Sequence, residues 1–369
     1  MKKIIFSANT CWYLYNFRKN TINEYLKNSE VHIISSYDTH TELLISMGCI
    51  FHSVDISSAS MNPFKEWVHI AKFYKIIKSI RPVIIFNFTP KSNIYCSLAC
   101  RLLNTDAILI NNIAGLGKAF IRKNIKYYIL LFLYKISQKK THTIFFQNNE
   151  DLQLFKKYKI IKNNYARIPG SGVDLDRFTF DISKSTPSVN NFLFSGRLLE
   201  EKGISLYINA ARELKKQFNN LNFFVAGYLD FSQKSCVNKL LFENAVSDGI
   251  INYLGPLDDI TIALNKIDCI VLPSYYREGV PKSLLEAGAM GKIIVTTNNI
   301  GCKETVIDNE TGLLCIPRSL DDLIEKIKYL LQKPHTDIIE MKIKAHSFIS
   351  TNFDEKIIIN EYLKFDKYE

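Results

Sequence analysis

Short apolar runs separated by helix-forming segments recur along the whole chain, and this alternation leaves few folds open. Runs at residues 3–8, 31–35, 48–51, 83–88, 107–111 and 143–147 are each only a few residues long. Between them, 15–26, 62–80 and 93–103 read as helices, with Asn62-Pro63 as a start signal and Arg81-Pro82 as a stop. The alternation resumes with runs at 191–195, 222–227, 251–255, 268–273, 292–296 and 313–316, and with helices at 204–217 and 320–332. Brief, nearly continuous apolar runs suit strands buried on both faces, so the pattern predicts parallel sheets covered by helices, an α/β class. Two such series in 369 residues imply two domains. The Gly-rich stretch Arg167-Ile168-Pro169-Gly170-Ser171-Gly172-Val173-Asp174 and the polar segment 179–191 separate them. The expected domains are 1–170 and 171–348, followed by one amphipathic helix over 349–369.

Both halves read as Rossmann-like. The first lacks Gly-x-Gly-x-x-Gly after its first strand, which argues against a typical dinucleotide site. The chain is 47% apolar and 22% charged, which suits two packed cores and not disorder. Its net charge of +11 points to an acidic partner: nucleic acid, anionic lipid or a phosphorylated substrate. The cations are spread along the chain without a nucleic-acid-binding motif, so no nucleic-acid partner is expected. Eight cysteines include no C-x-x-C pair and read as buried thiols in a reducing compartment. The start, Met1-Lys2-Lys3-Ile4-Ile5-Phe6, imitates a signal peptide, but the polar Ser7, Asn9 and Thr10 follow at once. No apolar run reaches the roughly 18 residues that would span a bilayer. A cytoplasmic protein is expected, lying on the inner face of the membrane.

Two stretches carry chemistry. In the first, the run at 268–273 leads into Tyr275-Tyr276-Arg277-Glu278-Gly279-Val280-Pro281-Lys282-Ser283-Leu284-Leu285-Glu286-Ala287. This reads as strand, loop and helix start, with Pro281 in the first turn. The opening turn offers backbone amides around Ser283, Leu284 and Leu285 to an anion. Glu278 and Glu286 flank that seat. Carboxylates beside a phosphate site make sense as acceptors for sugar hydroxyls, and sugar–phosphate–sugar is a nucleotide-sugar. Each Glu could equally be a solvated surface group. In the second stretch, the run at 191–195 ends in Gly196-Arg197-Leu198-Leu199-Glu200-Glu201-Lys202-Gly203. Arg197 and Lys202 could grip a pyrophosphate from two sides, or be ordinary exposed cations.

Together these motifs resemble family-4 glycosyltransferases of GT-B fold. The wording Y-R-E-G-V-P-K-S-L-L-E-A resembles a bacterial subgroup that builds O-antigens, capsules and lipid-linked oligosaccharides, several of whose members transfer N-acetylhexosamine-type sugars. The resemblance implies two Rossmann-like domains facing across a cleft, with a C-terminal helix crossing back to the first. It implies a nucleotide-sugar donor, read as UDP-linked with a GDP-sugar left open, and a polyprenyl-pyrophosphate-linked glycan acceptor. By resemblance, Arg197 and Lys202 clamp the pyrophosphate beside Gly196, and Glu286 holds the ribose. Glu278 and the Gly279-Val280-Pro281 backbone shape the sugar pocket, and backbone groups at Tyr253 and Leu254 read the base. Transfer would retain configuration without a stable covalent intermediate, the donor phosphate helping to remove the acceptor proton. No metal or other cofactor is expected. Asp174-Leu175-Asp176 matches D-x-D but fits the interdomain connection better.

Acceptor contacts are expected from first-domain loops around Trp12, Asn16, Lys91, Gly115 and Gly117. Many family members carry a catalytic His after the strand at 107–111. Here the residues are Asn111-Asn112-Ile113, so Asn or a backbone group would take that role. Residues 121–140 form a basic, aromatic helix with cations Arg122, Lys123, Lys126, Lys135, Lys139 and Lys140, either a packed helix or one lying on an anionic membrane surface. A nucleotide-sugar 2-epimerase is the alternative that keeps the fold and changes the reaction.

Overall fold

The computed structural model describes residues 1–56, 63–162 and 164–367. The chain divides into two compact units, Met1–Ser171 with Lys356–Glu369, and Gly172–Glu355.

In the first unit β1 (Lys2–Thr10) leads into α1 (Cys11–Leu26), β2 (Ser29–Ser36), α2 (Thr41–Ser46) and β3 (Ile50–Ser53). Then come α3 (Pro63–Ile80), β4 (Ile84–Asn87), α4 (Pro90–Leu103), β5 (Ile108–Ile113), α5 (Ile125–Ser137), β6 (Thr143–Phe146), α6 (Asn149–Lys157) and β7 (Tyr165–Arg167). The sheet is parallel, in the order β3-β2-β1-β4-β5-β6-β7. Every residue of β4 is buried, as expected of a strand with helices on both sides. The expected start signal at Asn62 lies outside the described residues.

α1 begins four residues before the predicted Tyr15. The Thr10 hydroxyl accepts from the Tyr13 amide at 3.2 Å and caps the helix, so Trp12 is helical and not in a loop. β5 runs two residues past the predicted 111 and takes both asparagines into the ladder. Asn111 donates to Ser97 Oγ at 2.8 Å and Gln138 Oε1 at 2.6 Å, and accepts from Asn87 Nδ2 at 2.8 Å. Asn112 donates to the Asn87 carbonyl at 3.0 Å and accepts from the Tyr362 hydroxyl at 2.5 Å. These bonds occupy both side chains in a buried network, while the backbone of both residues pairs with β6.

The second unit contains β8 (Asn191–Ser195), α7 (Ile204–Lys215), β9 (Asn222–Ala226), α8 (Lys239–Ser247), β10 (Asn252–Tyr253), α9 (Thr261–Leu264) and β11 (Cys269–Leu272). α10 (Lys282–Ala289), β12 (Ile293–Thr297), β13 (Gly312–Cys315), α11 (Leu320–Gln332) and α12 (His335–Phe353) follow. Its parallel sheet has the order β10-β9-β8-β11-β12-β13.

The tail is two helices, not one, and residue 349 falls inside the first of them. α12 ends at Phe353, whose carbonyl accepts from the Val173 amide at 2.8 Å, and the Glu355 amide donates to the Val173 carbonyl at 3.1 Å. This bridge holds Asp354 out of helical geometry, at φ −57° and ψ 127°. α13 (Glu355–Leu363) then packs in the first unit from Lys356 onward. Its Tyr362 is fully buried among Phe86, Phe88 and Phe145, and its carbonyl accepts from the Tyr25 hydroxyl at 2.7 Å. Tyr362→Ala is expected to destabilise the first unit by about 3–5 kcal/mol, as for large buried aromatics. Tyr362→Phe, which strands only the Asn112 oxygen, is expected to cost about 1–3 kcal/mol. Urea unfolding followed by near-UV signal checks both.

Candidate functional site

Glycines bring the strand ends of the second unit together. Gly196 follows β8 and its amide donates to the Ala226 carbonyl at 3.0 Å. A Cβ on Gly227 (φ +146°) would lie 1.8 Å from the Gly196 oxygen, so the turn at 227 can approach Gly196 only as glycine. Arg197 is exposed on this turn, while Leu198 and Leu199 anchor it in the core. Residues Glu200–Lys202 make one 3-10 turn, and Gly203 ends it against the carbonyl of Pro273, just past β11.

That contact sets Lys202 against the loop after β11. Lys202 Nζ lies 2.5 Å from Glu278 Oε1, with the two side chains only 15% and 10% exposed. The Ser274 hydroxyl donates to the same Oε1 at 3.0 Å. Lys202 Nζ also lies 5.6 Å from the Tyr276 ring centre. The loop is stitched on both sides. The Tyr275 amide donates to the Glu201 carbonyl at 2.9 Å, and Asn299 Nδ2 donates to the carbonyls of Tyr276 at 2.7 Å and Ser274 at 3.3 Å. Burial pushes the neighbouring Cys302 thiol up to about 12, so it stays protonated and is no nucleophile.

Pro281 is the N-cap of α10 and not a first-turn residue; its ψ of 117° is extended. Its carbonyl accepts from the Leu284 amide at 3.1 Å and the Leu285 amide at 3.4 Å. Those two amides therefore close the first turn, and the side chains of Val280, Leu284 and Leu285 are core. The Ser283 amide precedes them, leaving it the best placed of the three expected anion donors. Glu286, one turn on, is half-buried. Burial holds its carboxyl above the usual value of 4.5, against the pull of Lys282 and Arg177. Tyr253 closes β10 with its hydroxyl on the Gly227 carbonyl at 2.9 Å, and the Leu254 amide donates to the Val225 carbonyl at 2.8 Å.

In the first unit, Trp12 is half exposed and its amide donates to Asp38 Oδ2 at 2.8 Å. Asn16 Nδ2 donates to the Trp12 carbonyl at 2.9 Å. Lys91, at the start of α4, pairs with Glu66 at 3.1 Å. Gly115 and Gly117, at φ +88° and +70°, turn the loop after β5 through left-handed backbone. The D-x-D match is a turn, with Asp174 Oδ1 accepting from the amides of Asp176 and Arg177 at 3.0 and 3.1 Å. Among the described residues, no group of three or more His, Cys, Asp or Glu is placed to hold a metal ion.

Two family models match the chain. "Glycosyl transferase 4-like" covers residues 3–148, and "Glycosyl transferases group 1" covers 177–348. The N,N'-diacetylbacillosaminyl-diphospho-undecaprenol alpha-1,3-N-acetylgalactosaminyltransferase of Campylobacter jejuni is 30% identical over 368 residues, 95% of this chain and 94% of its own. The chain belongs to the group 1 glycosyltransferases. A capsular polysaccharide biosynthesis glycosyltransferase of Staphylococcus aureus is 24% identical over 83% of this chain and 81% of its own. Among solved structures, Anabaena HepE in complex with UDP and glucose superposes with a TM-score of 0.82 at 15% identity, covering 100% of both chains. A glycosyltransferase of Rickettsia africae gives 0.74 at 22%, covering 100% of this chain and 99% of its own. At those identities the likeness is one of fold, and the fold is GT-B. The matches do not favour the 2-epimerase alternative.

In this glycosyltransferase the sequence motifs did not single out Ser274, Asn299 or Lys282. Ser274 and Asn299 act through hydrogen bonds to a loop distant in sequence from Asn299, which no local pattern marks. Lys282 was legible, as the cation one turn before Glu286.

Proposed function

We propose that this glycosyltransferase moves an N-acetylhexosamine-type sugar from a UDP-sugar to a polyprenyl-pyrophosphate-linked glycan, with retention, in the assembly of a bacterial surface polysaccharide. The observation that carries the donor half is the convergence on one loop of Lys202, Glu278 and the start of α10, with Glu286 one turn further. The Campylobacter relative supports the acceptor half, since its name specifies an undecaprenyl-diphosphate-linked sugar and N-acetylgalactosamine transfer. The expected workplace is the inner face of the plasma membrane; no described helix is long and apolar enough to cross it.

The acceptor oxygen bonds to the anomeric carbon while the bond from that carbon to the donor phosphate breaks on the same face. The acceptor proton passes to the departing phosphate oxygen. Negative charge grows on the pyrophosphate, where Arg197, Lys202 and the Ser283 amide are the donors. Glu286 accepts from the ribose hydroxyls and Glu278 from a hydroxyl of the transferred sugar. The reaction as proposed needs no metal, and transfer should survive EDTA.

Thermal shift with UDP and GDP tests the donor site. A nucleotide at about 100 times its Kd stabilises by about 2.7 kcal/mol. The expected result is a shift with UDP. A shift with GDP alone would move the donor to GDP-sugars, and none with either would overturn the site. The pH dependence is specific. Hydroxyl donors favour the ionised carboxylate, whereas burial raises the Glu286 carboxyl in the free protein. UDP binding then expels a proton, so affinity rises with pH until Glu286 is ionised in the free protein as well, and levels off above its raised value. Glu286→Gln should bind UDP more weakly at neutral pH and lose this rise.

A further inference from the structure

The helix α5 turns an apolar face to solvent. On its inner side Tyr127, Leu131 and Tyr134 are buried in the apolar core of the first unit. On its outer side Ile125, Tyr128, Ile129 and Phe132 are 73%, 50%, 41% and 62% exposed. Their spacing of i, i+3, i+4 and i+7 makes one continuous stripe along two turns. At about 100° per residue, Lys126 and Lys135 fall on opposite borders of that stripe, and both are exposed. From residue 107 to 149 the chain carries seven Lys and Arg and no Asp or Glu. A solvated helix face would mix both signs and bury its large apolar groups. This one presents aromatics and aliphatics within an unbroken field of positive charge.

The position narrows the occupant further. α5 follows the Gly115–Gly117 loop, so its first turns stand at the carboxyl end of the parallel sheet. α4 packs against both α5 and α3. On α3, Trp67 and Val68 are likewise exposed, 65% and 54%, in turns that enter from the same end of the sheet. Several exposed large apolar groups thus lie on helices that enter from the end of the sheet carrying the loop expected to meet the acceptor.

We propose that the outer face of α5 docks on an anionic lipid surface, with Ile125, Tyr128, Ile129 and Phe132 in the head-group boundary and Lys126 and Lys135 on lipid phosphates. The inference deepens the reading of a lipid-linked acceptor and rests on it for its purpose. Docking would bring the first unit to the plane where such an acceptor's pyrophosphate lies. The physical signature is joint dependence on apolar area and on charge, with the charge part screened by salt.

Vesicle flotation tests it without any transfer reaction, so its outcome is separate from that of the donor-site experiment. Wild type, I129S/F132S and K126E/K135E are each floated with phosphatidylcholine vesicles and with vesicles of about 30% phosphatidylglycerol, at low and high salt. Thermal melts of the same samples without nucleotide report folding. Expected are flotation of wild type with the anionic vesicles, weakening at high salt, and at least about a tenfold drop in partitioning for each variant. Wild type remaining in solution, or either variant floating like wild type, would overturn the proposal. So would a wild-type dimer in sedimentation that I129S/F132S splits, which would make the stripe a contact between copies of this chain.

Discussion

Lys202→Ala is expected to lower kcat/KM by about 100-fold to 1000-fold, which is about 2.7–4 kcal/mol of lost transition-state stabilisation. Two causes are available, and they separate. If Lys202 acts only as the partner that holds Glu278, then Glu278→Ala and Lys202→Ala should cost the same and the double variant no more. If Lys202 also meets the charge growing on the leaving pyrophosphate, the double variant should be slower than either single, and the extra loss should appear in kcat. The second outcome is expected. The ion pair is 2.5 Å long and its side chains are largely enclosed, so Glu278 leaves little net positive charge at Lys202 until an anion arrives to share it. The geometry therefore suits a cation that is held in position first and used second. Steady-state kinetics on the two singles and the double, with urea midpoints to correct for stability, make the measurement. Lys202→Ala also leaves a mostly enclosed carboxylate with Ser274 as a remaining donor, so the second unit should lose stability as well.

Much of the fold was legible because its signals are local. Buried parallel strands are short apolar runs, and β4, β8, β11 and β12 sit within a residue or two of where those runs place them. The errors come from signals that are not local. β7 is a three-residue edge strand with one neighbour and no apolar run to mark it. The break between α12 and α13 carries neither Gly nor Pro; a backbone bridge to Val173 makes it. In the sequence, Asn111 at the end of a strand and Asn112 just after it are the candidates for the role of the missing His. In the fold they tie β5 to α4, the turn after α5, and α13, and the Tyr362 partner lies 250 positions away. The site divides the same way. Glycine spacing and the two Glu positions could be read directly, and the motif resemblance gave them roles. The Lys202–Glu278 contact joins residues far apart in sequence, and only the stacking of β8 beside β11 makes them neighbours.

Gly301→Ala is expected to be the most damaging single-methyl change near this site. Gly301 has φ +82°, and a Cβ there would lie 1.6 Å from the Gly279 oxygen and 2.9 Å from Glu278 Cβ. The first of these is backbone, so no rotamer change relieves it. Either the turn at 299–302 or the loop carrying Glu278 has to move, and Asn299 bonds the two together through the Ser274 and Tyr276 carbonyls. A displacement of the loop separates Glu278 from Lys202, and misplacement by about 1 Å is enough to cost on the order of 100-fold in rate. Gly249→Ala supplies the control. Gly249 has a similar φ of +65°, yet nothing lies within 4 Å of its Cβ position. It should show only the left-handed penalty of about 1–2 kcal/mol in a urea midpoint, with kcat/KM unchanged. Gly301→Ala should exceed that stability loss and lose at least about 100-fold in kcat/KM. Equal behaviour of the two variants would mean that the Gly279–Gly301 contact yields without cost, and that the Glu278 loop is not held where its hydrogen bonds place it.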